Sequence, residues 1–447
     1  MAVSPVGLVT AEPDHQLLYA QTLTCFSSWA RTDDRVSAIL ETIPRTGPVR
    51  VVSCKKWLGP RAALAVRTRS RGLSRRALLV LAVGVAAVAV IAVWGALSQQ
   101  DPAVAPPASG APRGTAGTCS IDPADGQSAI EAAIAACPDG RTVMFPAGRT
   151  YRQTDRIRVE RRKGLVIDGN GSTFIKTSAN DGQRARPNWE LLEDSNVTLQ
   201  NMVIRGALQP GPRGITPGNQ FDHGVIIYGG DRVTVRDVKV YDVFGDFVTT
   251  APSGFVRGGG ALGGQVPRNI AIQRLNGRGA ARMCVALTGG IGLRVEDSKL
   301  SDCRYGGIDI ETDVAGEPLR DVHIVRNTIA GYYLFAIGIA GPVDTPPKPG
   351  DIDDIEIRDN VTTTPSDTCW ASVNAERGPI SGVVVAGNSL KTMNRGVNLE
   401  SVSSGSVSAN KVEITVSPGL CGPPAAIPVR ITKSPQVAVS NNTFAGY

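Results

Sequence analysis

Gly306-Gly307-Ile308-Asp309-Ile310-Glu311-Thr312-Asp313 sets acidic residues at alternate positions of an otherwise apolar run. Side chains two apart in an extended chain share a face, so with Ile308 and Ile310 turned inward, Asp309 and Glu311 point outward, roughly 6.6 Å apart along the strand. Such a pair can do three kinds of work. One carboxyl with a raised pKa can protonate a leaving oxygen while the other activates water, an arrangement that inverting glycosidases build at ~6.5–9.5 Å. The pair can instead bind Ca²⁺ or neutralise a uronate while an arginine removes a proton, as a lyase requires, with Arg282, Arg304 and Arg430 as candidate bases. It can also hydrogen-bond sugar hydroxyls without turnover. Against all three stands a plain solvated sheet face.

Aligning inward residues between neighbouring strands places Ala286 and Thr288 on one side of the pair and Gly338 and Ala340 on the other, small residues that leave room for a substrate. The same alignment continues the face through Ser372 and Asn374, Asn398 and Glu400, then Arg430 and Thr432. Asp246 and His223, which open earlier face strands, are further candidates for substrate contact, Asp246 alternatively bonding local amides as a turn carboxylate. Asp313 either joins the groove or closes a turn. Beyond residue 100 the histidines are His223 and His323, too few for a multi-histidine metal site. The metal is left unknown, and Ca²⁺ enters only with the lyase alternative.

The elements that must hold these residues form a repeat. Val197-Thr198-Leu199-Gln200-Asn201, Val233 to Asp237, Leu293 to Asp297, Val322 to Asn327, Ile355 to Asn360, Val383 to Asn388 and Val437 to Asn442 are alternating runs ending in Asn or Asp, about 23 to 37 residues apart. Period two means strands, and a second strand precedes each run, as in Gly307 to Glu311 and Gly396 to Glu400. A unit this small cannot bury its apolar face alone, so the units must stack into a parallel β-helix solenoid. Its Asn residues are expected as stacked corners whose amides bond from coil to coil and accept positive φ. With only 5% aromatic residues, its core is expected to be layers of Val, Ile and Leu.

Asp125-Gly126-Gln127-Ser128-Ala129-Ile130-Glu131-Ala132-Ala133-Ile134, then Val143-Met144-Phe145-Pro146-Ala147-Gly148, then Leu165-Val166-Ile167-Asp168-Gly169, resemble the opening of right-handed parallel β-helix proteins of the pectate-lyase-like superfamily. The resemblance covers residue 120 to the C-terminus. It implies that the first block is a helix capping the solenoid, and Ala129, Ile130, Ala133 and Ile134 do share one helical face. The superfamily holds lyases, hydrolases, epimerases, phage depolymerases and proteins without activity, so the likeness implies fold more than chemistry. The Asn-Thr-Asp-Gly, Gly-His-Gly and Arg-Ile-Lys set of polygalacturonases and the Trp-Ile-Asp-His block of pectate lyases are missing, Arg430-Ile431-Thr432-Lys433 being a fragment.

Ahead of the repeat, residues 77–97 form an apolar run long enough to cross a hydrocarbon core, preceded by Arg61, Arg67, Arg69, Arg71, Arg75 and Arg76. The charge asymmetry puts residues 1–76 in the cytoplasm and the repeat outside. A retained anchor is favoured over a signal cleaved near Ser98. Residues 1–76 lack sustained periodicity and read as disordered, or in part as untranslated with Val66 as a later start. Residues 98–118 are a Pro/Ala/Gly linker, and 119–447 form the β-helix domain. Six of the eight cysteines lie beyond the apolar run, as suits an oxidising compartment, and the coil length favours Cys284–Cys303, then Cys119–Cys137, then Cys369–Cys421.

The net charge of +7 belongs to the N-terminal segment: residues 1–100 carry 12 Lys and Arg against 5 Asp and Glu, leaving 35 of each sign for the rest. A neutral repeat argues against nucleic-acid binding driven by charge. The expected protein is a membrane-tethered, monomeric β-helix that acts on polysaccharide as a lyase or hydrolase, or binds glycan without cleaving it.

Overall fold

The computed structural model describes residues 117–178, 186–208, 219–257, 259–363, 370–415 and 427–446. The segment 77–97, Cys369 and Cys421 lie outside them, and no helix among the described residues is long and apolar enough to cross a membrane.

Every strand pairing is parallel. Ten strands from Ile157–Glu160 to Val429–Thr432 form one sheet, and twenty-one form a second that wraps the rest of each coil. A representative coil runs Val285–Thr288, Gly290–Glu296, Lys299–Cys303, and returns one layer on as Ile308–Glu311. Val285, Leu287, Ile308, Ile310, Ile337 and Ile339 face inward and are fully buried. Residues 284 and 303 lie one coil apart on adjacent layers, and Cys284–Cys303 is a disulfide with Cα atoms 5.3 Å apart; Cys119–Cys137 is another.

The helix Gln127–Ala136 buries Ile130 and Ile134 against the first coils, covering an apolar layer that would otherwise meet water. Beneath it the core departs from the aliphatic expectation. Phe145, Tyr151, Phe174 and Trp189 pack with centroids 5.0–5.4 Å apart, mostly edge to face. These four rings pack together where the solenoid begins, and one ring fills several aliphatic positions.

The Asn and Asp of the repeat split into two adjacent columns rather than one. The left-handed position is occupied by Asn201, Asp237, Asp297, Arg326, Asp359 and Asn441, with φ of 53–56°. Their side chains point outward, and Arg274 and Arg326 form two-bonded pairs with Asp237 and Asp297 of the preceding coils. The next residue turns inward. There Asn327, Asn360, Asn388, Asn410 and Asn442 form a ladder, each Nδ2 donating to the next Oδ1 at 2.9–3.0 Å. The same Oδ1 also accepts a backbone N–H, and the second Nδ2 proton goes to a carbonyl, so each interior amide is satisfied.

Candidate functional site

Strand register on the ten-stranded sheet resolves its outer face into columns. Thr249, Ala286, Asp309, Gly338, Asn374, Asn398 and Arg430 stand in one, and Thr288, Glu311, Ala340 and Glu376 in the next. The predicted neighbours of Asp309 and Glu311 are therefore in place. Beyond them the alignment shifts by two: Gly338 pairs with Asn374 and Ala340 with Glu376, because Ala371–Glu376 is longer than Ile337–Ala340. Ser372 leaves the face and bonds inside, to Tyr332 Oη at 3.1 Å. Glu376 is the acid that sequence reasoning missed. Val373-Asn374-Ala375-Glu376 repeats the pattern of Ile308-Asp309-Ile310-Glu311, and extending the alternation would have found it.

The room expected beside Asp309 is partly filled. A Cβ at Gly338 would fall 2.5 Å from Phe335 Cε2, and one at Gly306 would fall 2.6 Å from the same atom, so the Phe335 ring lies flat over both glycines. It comes from the corner before the neighbouring strand. Asp309, between them on the face, is 4% exposed, and Glu311 is half-buried.

Asp246 and His223 are both buried rather than open on this face. Asp246 is fully buried, its Oδ1 accepting Met283 N–H at 2.9 Å and its Oδ2 the Thr249 hydroxyl at 2.8 Å. His223 Nδ1 lies 3.0 Å from the Asp246 backbone nitrogen and 3.2 Å from Asp246 Oδ2. Arg282 Nη1 lies 3.8 Å from Asp246 Oδ2. Burial works to raise the Asp246 pKa, but the Arg282 guanidinium, with His223 and Thr249, holds it down at about 2. Asp246 thus fixes a permanent anion under Arg282.

Asp309 is pushed the other way. Burial first and the Glu311 charge second carry its pKa well above the usual carboxylate range, with Arg282 and Arg377 opposing. Glu311 is also raised, by burial and then by Asp313, against the same two arginines. One site therefore holds a carboxyl driven towards its neutral form and another held towards its ionised form. Arg282 cannot serve as a base: despite burial, the carboxylates around it, Asp246 foremost, raise its pKa. Arg304 is exposed, and the cations acting on Asp309 and Glu311 are Arg282 and Arg377, the latter missed in the sequence because it lies past the strand end in a left-handed turn. Arg430 lies four strands from Asp309, roughly 19 Å at the ordinary strand spacing, and Asn398 three, so neither meets the pair. Glu400 is held by Lys433 at 2.9 Å. Asp313 is exposed, its N–H closing a turn on Glu317 Oε2 at 2.7 Å.

One end of the face is roofed. Phe255 and Val256 of the helix Gly254–Arg257 pack on Leu192, Ile226, Tyr228 and Ala251, while Arg257 pairs with Glu160 and Glu193 at 2.8 and 3.0 Å. Along the corner that precedes the face strands, Tyr305 and Tyr333 are 41% and 52% exposed, and Trp370 faces Phe335 at 6.3 Å. A separate cleft of about 500 Å³ lies under the capping helix, lined by Gln127, Glu131, Arg156, Arg158 and Arg162. Arg156 and Arg158 are paired with Glu190 at 3.0 and 2.7 Å. Among the described residues no group of three or more His, Cys, Asp or Glu is placed to hold a metal ion.

No family model and no curated protein matches the chain. Solved structures do. The Dettilon tailspike protein is 13% identical over 71% of this chain, with a TM-score of 0.39, and the chain spans 58% of that protein's length. The Streptococcus pneumoniae surface adhesin PfbA is 13% identical over 72% of this chain and 88% of its own, with a TM-score of 0.41. The A-module of the Azotobacter vinelandii mannuronan C-5 epimerase AlgE4 is 14% identical over 72% and 90%, also at 0.41. The chain's own strand pairings make it a parallel β-helix, and at these identities and TM-scores the likeness adds nothing about activity.

Proposed function

We propose that the outer face of the ten-stranded sheet cleaves a polysaccharide by acid–base hydrolysis, with Asp309 as general acid and Glu311 as general base. The observation that carries this reading is the contrast within one guanidinium field: Asp309 buried beside Phe335 and driven towards its neutral form, Asp246 held ionised beneath Arg282. The neutral Asp309 carboxyl gives its proton to the glycosidic oxygen as the C–O bond breaks. Glu311, more open to solvent, takes a proton from the water whose oxygen bonds to the anomeric carbon. Their two-residue spacing of roughly 6.6 Å suits a water between acid and base and so inversion at that carbon. Arg282 then balances the Asp309 carboxylate left behind. The exposed Tyr305 and Tyr333 offer flat apolar surfaces for sugar rings along the corner. The lyase alternative loses Arg282, one of its three candidate bases, since the carboxylates around it hold it as a cation.

The test incubates the full-length protein with neutral and acidic polysaccharides, with and without Ca²⁺, following new reducing ends and the ultraviolet absorbance of unsaturated products. Reducing ends without absorbance, lost in Asp309→Asn and Glu311→Gln, support hydrolysis. Absorbance would establish a lyase, and binding without either signal a non-catalytic glycan-binding protein.

We also propose that residues 77–97 anchor the chain in a membrane, with residues 1–76 cytoplasmic, 98–118 a spacer and the β-helix outside as a monomer. The two disulfides support an oxidising compartment for residues 119–447. Protease digestion of intact cells expressing the chain should remove the β-helix and spare the membrane-bound N-terminal fragment.

A further inference from the structure

Three strands beyond Asp309 the face changes character. Arg395 opens the strand Arg395–Glu400, in register with Ala371, and Arg430 stands in register with Asn398 on the next strand. Among the described residues neither guanidinium has a carboxylate within ion-pair distance, unlike Arg282 and Lys433 on the same face. The Arg395 Nε is buried and donates to nothing among the described residues. Its positive charge is also disfavoured, by burial first and by Arg430 second. Glu400, already paired with Lys433, also acts on Arg430, but the two guanidinium groups repel each other, and a bound anion relieves both the repulsion and the missing hydrogen bonds.

Asn398 adds a second polar contact between them and the Asp309 end. Its Nδ2 donates to Asn374 Oδ1 at 2.8 Å, while its own Oδ1 is buried and without a donor. The residue is only 6% exposed, so that oxygen is not simply hydrated by bulk water. An unused acceptor beside two unused donor groups matches a sugar that carries both hydroxyls and an acidic group.

We propose that Arg395, Arg430 and Asn398 form a subsite for an anionic sugar of the bound polysaccharide, the arginines taking its carboxylate or sulfate and Asn398 Oδ1 accepting one of its hydroxyls. This rests on the hydrolytic reading of the Asp309 end and adds the substrate class: an acidic glycan whose charged residue lies roughly 14–19 Å from the cleaved bond, three to four strand spacings away. At the cleaved bond itself the carboxylates Glu311, Asp313 and Glu376 outnumber the cations Arg282 and Arg377. A second charged sugar is disfavoured there.

Affinity electrophoresis of the full-length protein tests this with gels holding polygalacturonate, alginate, chondroitin sulfate, carrageenan, xylan or dextran. Retardation by a uronate-bearing or a sulfated polymer, stronger at low salt, is expected, and the two sets of gels tell carboxylate from sulfate. Arg395→Gln with Arg430→Gln should weaken it roughly ten- to hundredfold, whereas Lys411→Gln, which removes an exposed cation on the twenty-one-stranded sheet, should leave it unchanged. Retardation only by xylan or dextran, equal retardation of wild type and the double variant, or none at all overturns the subsite. If the arginine-dependent retardation is present but no glycan is cleaved, the subsite stands and the hydrolytic reading fails. If a neutral glycan is cleaved equally well by the double variant, the reverse holds.

Discussion

Asp309 and Gly338 are register partners on adjacent strands, and the missing side chain at 338 lets the Phe335 ring lie on the face beside the carboxyl. Sequence reasoning took Gly338 as space for a substrate. The structure uses it as space for a ring that excludes water from the acid, and burial is the first cause of the raised Asp309 pKa. A methyl group at 338 must displace Phe335. Gly338→Ala and Phe335→Ala are both expected to return the Asp309 titration towards the ordinary carboxylate range, read by carbon NMR of the side-chain carboxyl. An unchanged titration in both variants removes Phe335 from the account.

Arg282 and Asp246 give a pH dependence with a definite sign. The folded pKa of Asp246 is about 2 against an ordinary 3.8, so its ionised form contributes stability above about pH 4, and that contribution is lost as pH falls towards 2. Arg282→Gln removes the main opposition to burial and leaves an anion without its nearest cation. The variant should be several kcal/mol less stable than wild type at pH 6, on the order of 3–5 for a broken buried pair, with the gap narrowing by pH 3. Urea unfolding at the two pH values measures it. A gap that is the same at both would show that Asp246 is not coupled to Arg282.

How much of this was legible depended on whether the information was local. Alternation in Ile308-Asp309-Ile310-Glu311 fixed which side chains point out, and Cys284 and Cys303 announced their pairing because a coil is nearly as long as their separation. Arg377 and Phe335 were not legible, since each reaches the site from a corner and corner geometry has no period. The burial of Asp246 and His223 was not legible for a related reason: both precede their strands, and the Met283 N–H and the Arg282 guanidinium reach Asp246 from the next coil, a contact that no single repeat encodes.

The asparagine ladder should show a graded response. Asn360 accepts from Asn327 through both N–H and Nδ2, and donates to Asn388 and to the Ile324 carbonyl. Asn360→Leu strands these groups inside the core, at about 1–3 kcal/mol for each one left unpaired, so a loss of several kcal/mol is expected. Asn442 terminates the ladder and is half-exposed, so Asn442→Leu should cost clearly less. Thermal unfolding of the two variants decides it, and equal losses would mean that the ladder carries no cooperative role.

Glu317 provides the opposite pH dependence from Asp246. It is fully buried, Oε2 accepting the Asp313 N–H at 2.7 Å while Oε1 meets no donor among the described residues, and burial with the Asp313 charge raises its pKa from 4.5 to about 8. Between those values the unfolded chain has released the proton and the folded chain still binds it. Stability therefore falls as pH rises, by roughly 1.4 kcal/mol per unit for this one group, until it levels off above pH 8. Asp194, also raised to about 8, adds a similar slope elsewhere, so the wild-type curve alone does not isolate Glu317. The difference between wild type and Glu317→Gln does: the amide keeps an acceptor for the Asp313 N–H and cannot ionise. The variant is expected to gain on wild type steadily from pH 5 to pH 8 in urea unfolding. A difference that does not change with pH would mean that Glu317 is ionised in the folded protein and that the turn bearing Asp313 tolerates the charge.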